Sequence, residues 1–197
     1  TSFNSADDSL YDAASNETAT IAISGVTGGS ATESGTQTVT ITITDNESAP
    51  TLTLTTSGTS IAENSASTLT LTATLSGATY QDVTVSIGSS GTATEGTDYG
   101  TVSDITISAG ATTGTASFDP TDDSDETDTV TATIAVTGVS GGGATESGSQ
   151  SVTISILDDE SVPRVTLSVS ATSIAENAGT SLTLTATLSK TAAEDVT

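Results

Sequence analysis

The chain repeats itself at a fixed spacing, and a repeat of such length must be a folding unit in its own right. SIAEN stands at 60–64 and 173–177, LTLTATLS at 69–76 and 182–189, DVT at 82–84 and 195–197, and ATESG at 31–35 and 144–148. Each pair is 113 residues apart. Towards the start the spacing widens to 115, with Phe3 matching Phe118 and Asp7–Asp8 matching Asp122–Asp123, which marks a two-residue insertion around Asp12–Asn16. The phase places a complete unit at 50–161, the C-terminal part of a unit at 1–49 and the N-terminal part of the next at 162–197. Counterparts of 85–115 are missing between the two ends, so the termini of neighbouring chains cannot simply join into a whole domain. The expectation is a window from a longer tandem array, and the lack of any Met points the same way.

Within the complete unit, apolar and polar residues alternate at period two. Seven stretches read as strands: 51–56, 67–76, 82–88, 104–108, 113–119, 128–137 and 150–157. Aliphatic residues face inward, while Thr and Ser face outward, where β-branched Thr suits a solvated pleat. Gly-rich turns such as SIGSSGT and GVSGGGA separate the strands, and no 3.6-residue apolar pattern occurs. The expected fold is all-β: tandem immunoglobulin-like seven-stranded antiparallel β-sandwiches. Hydrophobic residues make up only 33% of the chain and the net charge is −23, a combination that ordinarily signals disorder; the sustained alternation argues against it.

The same composition removes whole classes of function. With no Cys, disulfides and redox chemistry are excluded, and with no His either, zinc, iron and copper sites of the usual kinds are disfavoured. Only Arg164 and Lys190 are basic, so nucleic acid and anionic membrane surfaces are repelled. No run is long enough to insert in a membrane, and no signal peptide is visible. Serines are plentiful, but no His serves as their base and the two basic residues are isolated. Paired carboxylates could serve glycoside hydrolysis, yet the aromatic platform for a sugar is missing. The chain reads as non-enzymatic.

The acids are clustered rather than spread. Residues 64–81, 105–118 and 129–145 contain none, whereas DPTDDSDETD at 119–128 contains six and 158–160 contains three. With strands lettered A to G, Glu63 falls between A and B, Glu95 and Asp98 between C and D, Asp122–Glu126 between E and F, and Asp158–Glu160 after G. In such a sandwich these connections share one end. Carboxylates a few ångströms apart repel by about 4 kcal/mol per pair at an effective dielectric of 20. Many crowded together need a cation, and an oxygen-only, flexible donor set suits Ca2+ better than Mg2+. Taken singly each acid is an ordinary solvated turn residue; the convergence of four connections favours calcium. Tyr99 and Phe118, beside the acids, read as core or loop-packing residues.

SIAEN followed by a strand, then GTATEGTDYG, PTDDSDE and SILDDES, resemble Calx-beta repeats across the complete unit and both partial ones. The resemblance implies a seven-stranded immunoglobulin-like sandwich that binds several Ca2+ ions at its C-terminal end. Carried over by position, it implies ligands at Glu63, Asp98, Asp122, Asp123, Asp158 and Asp159, with Glu126, Glu160 and, in a loop of variable length, Asp125. The 1–49 part keeps Asp7, Asp8, Asp45 and Glu47. It has Asn46 in place of Asp159 and SLYDAASNE in place of SDETD, which implies fewer ions or weaker binding. Glu176 belongs to the following unit's site. Together these readings lead to the expectation of a calcium-binding structural segment of a large extracellular or cell-surface protein, an adhesin stalk, fibre or matrix filament. Its partners are calcium ions, neighbouring repeats, and like chains in a fibre or surface ligands. The rival expectation is a calcium sensor that transmits occupancy to a partner domain; near-identical tandem units favour the array.

Overall fold

Alternating sequence becomes paired strand throughout the computed structural model, which describes residues 2–12, 17–124, 129–177, 179–192 and 195–197. The N-terminal part holds β1 (Leu10–Tyr11) and a hairpin of β2 (Glu17–Ala22) and β3 (Thr38–Ile43). The complete unit runs β4 (Thr51–Thr56), β5 (Ser60–Ala62), β6 (Leu69–Leu75), β7 (Ala78–Thr79), β8 (Val83–Gly91), β9 (Ile105–Ile107), β10 (Thr113–Phe118), β11 (Val130–Ser140), β12 (Thr145–Glu146) and β13 (Ser151–Leu157). The C-terminal part is a hairpin of β14 (Val165–Val169) and β15 (Leu184–Leu188). The described residues contain no helix, so none long and apolar enough to cross a membrane.

Two sheets face each other in the complete unit, in the orders β10-β6-β4-β12 and β5-β13-β11-β8-β9. All long pairings are antiparallel, as in an immunoglobulin-like sandwich. Each of the seven expected stretches contains a strand. The structure adds a division at the first edge: after β4 the chain turns at Ser57–Gly58 and crosses to the other sheet, where β5 lies parallel to β13. The turn is held by the Thr56 hydroxyl, which donates to the Gly58 carbonyl at 2.9 Å, and by the Ser57 N–H, which donates to Thr70 at 2.9 Å.

Alternation fills the space between the sheets. Leu52, Leu54, Leu71, Ala73 and Leu75 come from one side, and Val83, Val85, Ile105, Ile107, Ala132, Ile134, Ile154 and Ile156 from the other, all buried. Each large aliphatic among them contributes about 1.5–3 kcal/mol by leaving water, which is how a chain so poor in apolar residues still folds. The aromatic pair Tyr99 and Phe118 closes the core, with ring centroids 4.8 Å apart and planes 24° from parallel.

Close approach of β8 to β11 depends on Gly91. Its φ is 125°, and a Cβ there would lie 2.1 Å from the Thr131 carbonyl oxygen, the acceptor for the Ala93 N–H. Gly91→Ala is therefore expected to cost about 2 kcal/mol or more, from backbone strain plus the clash; urea denaturation measures it, and an unchanged midpoint would contradict the packing.

The partial units reproduce the same pairings. Ala19 opposes Ile41 in the N-terminal hairpin, as Ala132 opposes Ile154, and Leu167 opposes Ala186 in the C-terminal hairpin, as Leu54 opposes Ala73.

Candidate metal centre

The acidic end is assembled by strand pairing. Beyond β5 the ladder continues for one more bond, with the Glu63 N–H donating to the Leu157 carbonyl at 3.0 Å. That bond sets Glu63 beside Asp158, the first residue after β13. The Asp159 N–H then donates to Glu63 Oε1 at 3.3 Å, and Asn64 Nδ2 donates to Asp159 Oδ2 at 2.5 Å. The chain leaving β13 is thus laid across the start of the connection to β6.

Two groups of carboxylate oxygens result. Glu63, Asp158 and Glu160 each offer an oxygen within 4.8 Å of the others, and so do Asp122, Asp159 and Glu160. Glu160 belongs to both groups. Two ligands on opposite sides of a Ca2+ ion, each at about 2.4 Å, lie about 4.8 Å apart, so either group can close around one ion. Three connections supply them: β5–β6, β10–β11 and the segment after β13.

The electrostatics match that donor set. Glu63 is only 7% exposed, and its pKa is pushed up to about 7. Burial is the largest cause; next, its protonated form shares a hydrogen bond with Glu160, and the charges of Asp123 and Asp158 repel its anion, while the Asp159 N–H pulls the other way. Glu160 Oε2 is buried with no hydrogen-bond partner. A buried carboxylate oxygen without a donor costs about 1–3 kcal/mol or more, and a divalent cation would supply the missing partner. The oxygen-only residues therefore fit Ca2+, and Glu160 could serve either group.

The other expected ligands are placed as follows. Asp123 is near enough to Glu63 to raise its pKa but is in neither group. Asp98 Oδ2 accepts the Thr94 N–H at 2.6 Å and closes its own turn, and its carboxylate is in neither group. Its main chain still meets the acidic loop, since the Thr121 N–H donates to the Asp98 carbonyl at 3.0 Å. Asp125 and Glu126 lie outside the described residues. Glu176 is exposed in a turn after β14, outside both groups. In the N-terminal part, Asp7, Asp8, Asp45 and Glu47 line one cleft of about 100 Å3. The pKa of Glu47 is raised by partial burial, then by its hydrogen bond with Asp45 and the charges of Asp45 and Asp7.

Sequence reasoning missed the two further acids of that cleft, Asp12 and Glu17, and, from the complete unit, Tyr80. Asp12 was inside the divergent SLYDAASNE, and Glu17 stands where the complete unit has Val130, so both were visible as departures from the repeat. Nothing in the repeat pattern indicated Tyr80.

An immunoglobulin-like sandwich whose loop end gathers carboxylates from separate connections is the class this chain defines. Among solved structures it is similar to the crystal structure of the apo form of the Calx CBD1 domain, with 19% identity over 56% of this chain and 99% of that one and a TM-score of 0.47. No family model matches the sequence, and no curated protein matches it.

Proposed function

We propose that the chain is a non-catalytic, calcium-binding segment of a large extracellular repeat protein, such as an adhesin stalk, surface fibre or matrix filament, in which Ca2+ stiffens the junctions between domains. The observation that carries this reading is the position of Glu160. It is common to both carboxylate groups and stands three residues before Pro163, where the chain leaves one sandwich for β14. An ion there ties the exit segment to the β5–β6 and β10–β11 connections, while Pro163 restricts the short linker that follows. Without the ion the acids repel and the exit is released. Millimolar extracellular calcium suffices for weak sites of this kind.

Small-angle scattering tests the reading. Calcium is expected to extend the particle and chelation to shorten it; superimposable profiles would sink the proposal. Because Glu160 is shared, Glu160→Gln should weaken calcium binding by roughly tenfold or more, about 1.4 kcal/mol, and by more than Asp122→Asn. Isothermal titration measures both, and equal affinities in the two variants would contradict the shared-ligand arrangement.

A further inference from the structure

We infer that Leu10–Tyr11 and Ala78–Tyr80 form a main-chain clasp that fixes the N-terminal part of the chain against the 50–161 sandwich without a metal. Strands β1 and β7 pair in parallel, Leu10 with Ala78 and Tyr11 with Thr79, and the Tyr80 N–H donates to the Tyr11 carbonyl at 3.1 Å. These bonds join two parts of the chain whose other strands belong to separate sheets.

Both halves of the clasp are anchored. On the sandwich side, Thr79 is fully buried, its hydroxyl donates to the Gln81 carbonyl at 2.6 Å, and its own carbonyl accepts the Gly110 N–H at 2.9 Å. A Cβ at Gly142 would lie 2.8 Å from Thr79 Oγ1, so the ledge is packed from behind as well. On the N-terminal side, the Leu10 N–H donates to Asp8 Oδ1 at 2.8 Å, and the Asp12 N–H donates to Asp45 Oδ2 at 3.3 Å. Asp45 follows β3, so the second bond ties the clasp strand to the hairpin. Two of the four acids expected to be ligands in this part thus accept main-chain donors.

This gives SLYDAASNE a purpose beyond the loss of acids. At a spacing of 115, Leu10 and Tyr11 stand where the complete unit has Asp125 and Glu126. Acids there would add to the repulsion at the junction, whereas a half-buried Leu and Tyr allow the segment to lie against the next domain and pair with β7, which belongs to neither sheet of the sandwich. The junction between the N-terminal part and the 50–161 sandwich is thus one that holds through peptide hydrogen bonds.

The chain has no Cys, so spin labels can be placed cleanly on Thr38→Cys and Thr106→Cys, at exposed positions of β3 and β9. Pulsed dipolar distances are measured on the full chain in a calcium chelator. The parent and Tyr80→Ala, which keeps the N–H, are expected to give one narrow distance. Tyr80→Pro, which removes that donor, and a variant lacking Leu10 and Tyr11 should broaden the distribution severalfold. The deletion leaves 50–161 untouched, so it decides the matter if Tyr80→Pro disturbs the sandwich. A parent distribution that is broad in chelator and narrows only with calcium would overturn the clasp and leave calcium stiffening intact. A narrow distribution that survives the deletion would also overturn it. Failure of the calcium reading appears separately, as scattering profiles indifferent to calcium.

Discussion

Saturating calcium is expected to raise the melting temperature of the chain by about 10 °C or more. A ligand at a hundred times its dissociation constant stabilises the state that binds it by about 2.7 kcal/mol, and each kcal/mol moves the midpoint of a domain of this size by about 4–8 °C. The metal-free fold relieves its crowded acids by protonation, since the Glu63 pKa is held up at about 7 against an ordinary 4.5. Between those values the folded state binds a proton that the unfolded chain does not. The stabilisation is fully present below 4.5 and is lost as pH rises through 7. The metal-free melting temperature should therefore fall from about pH 5 to about pH 8. Calcium competes with the same proton, so the calcium-induced increase should grow over that range, and binding near neutral pH should release protons. Scanning calorimetry across the range, with calcium and with chelator, measures both slopes. A metal-free melting temperature that calcium leaves unchanged at pH 8, where Glu63 is ionised, would defeat the argument.

Much of this architecture was legible because period-two alternation and a repeated phase report directly on strands and their faces. LTLTATL can bury Leu71, Ala73 and Leu75 only as a strand, and it does. The division between β4 and β5 was not legible: the chain changes sheets at Ser57–Gly58 while the side chains on either side keep an unremarkable pattern. That division matters for the site, because the parallel pairing of β5 with β13 is what aligns Glu63 with Asp158. Convergence of the loops at one end follows from topology, so Glu63, Asp122 and Asp158–Glu160 could be grouped in advance. Side-chain direction does not follow from topology. Asp98 has the right address, yet its carboxylate is turned to the Thr94 N–H. For the same reason nothing distinguished Glu160 from its neighbours until its shared position and its unpartnered oxygen were seen. The pairing of β1 with β7 lay beyond sequence reasoning altogether, since a two-residue strand has no period to detect.

Phe118→Ala is expected to destabilise the sandwich by about 3–5 kcal/mol and to weaken calcium binding with it. Phe118 is fully buried as the last residue of β10, stacked on Tyr99, which is 1% exposed. These rings are also the floor of the acidic end. Tyr99 pairs with Pro120 through an isolated bridge, and the Gly100 N–H donates to the Asp119 carbonyl at 2.9 Å, so the C–D and E–F connections meet at the residues that flank the two rings. Removing the Phe118 ring leaves a cavity under Tyr99 and frees the segment that carries Asp122. Domains of this size have only about 5–15 kcal/mol in total, so the loss is a large fraction of the whole. Urea denaturation in chelator isolates the cavity cost, and a calcium titration well below the denaturation midpoint isolates the site. Phe118→Leu, which refills part of the cavity, should recover part of both quantities. If instead Phe118→Ala lost stability but bound calcium as the parent does, the acidic loop would be held by its own hydrogen bonds and not by the aromatic floor beneath it.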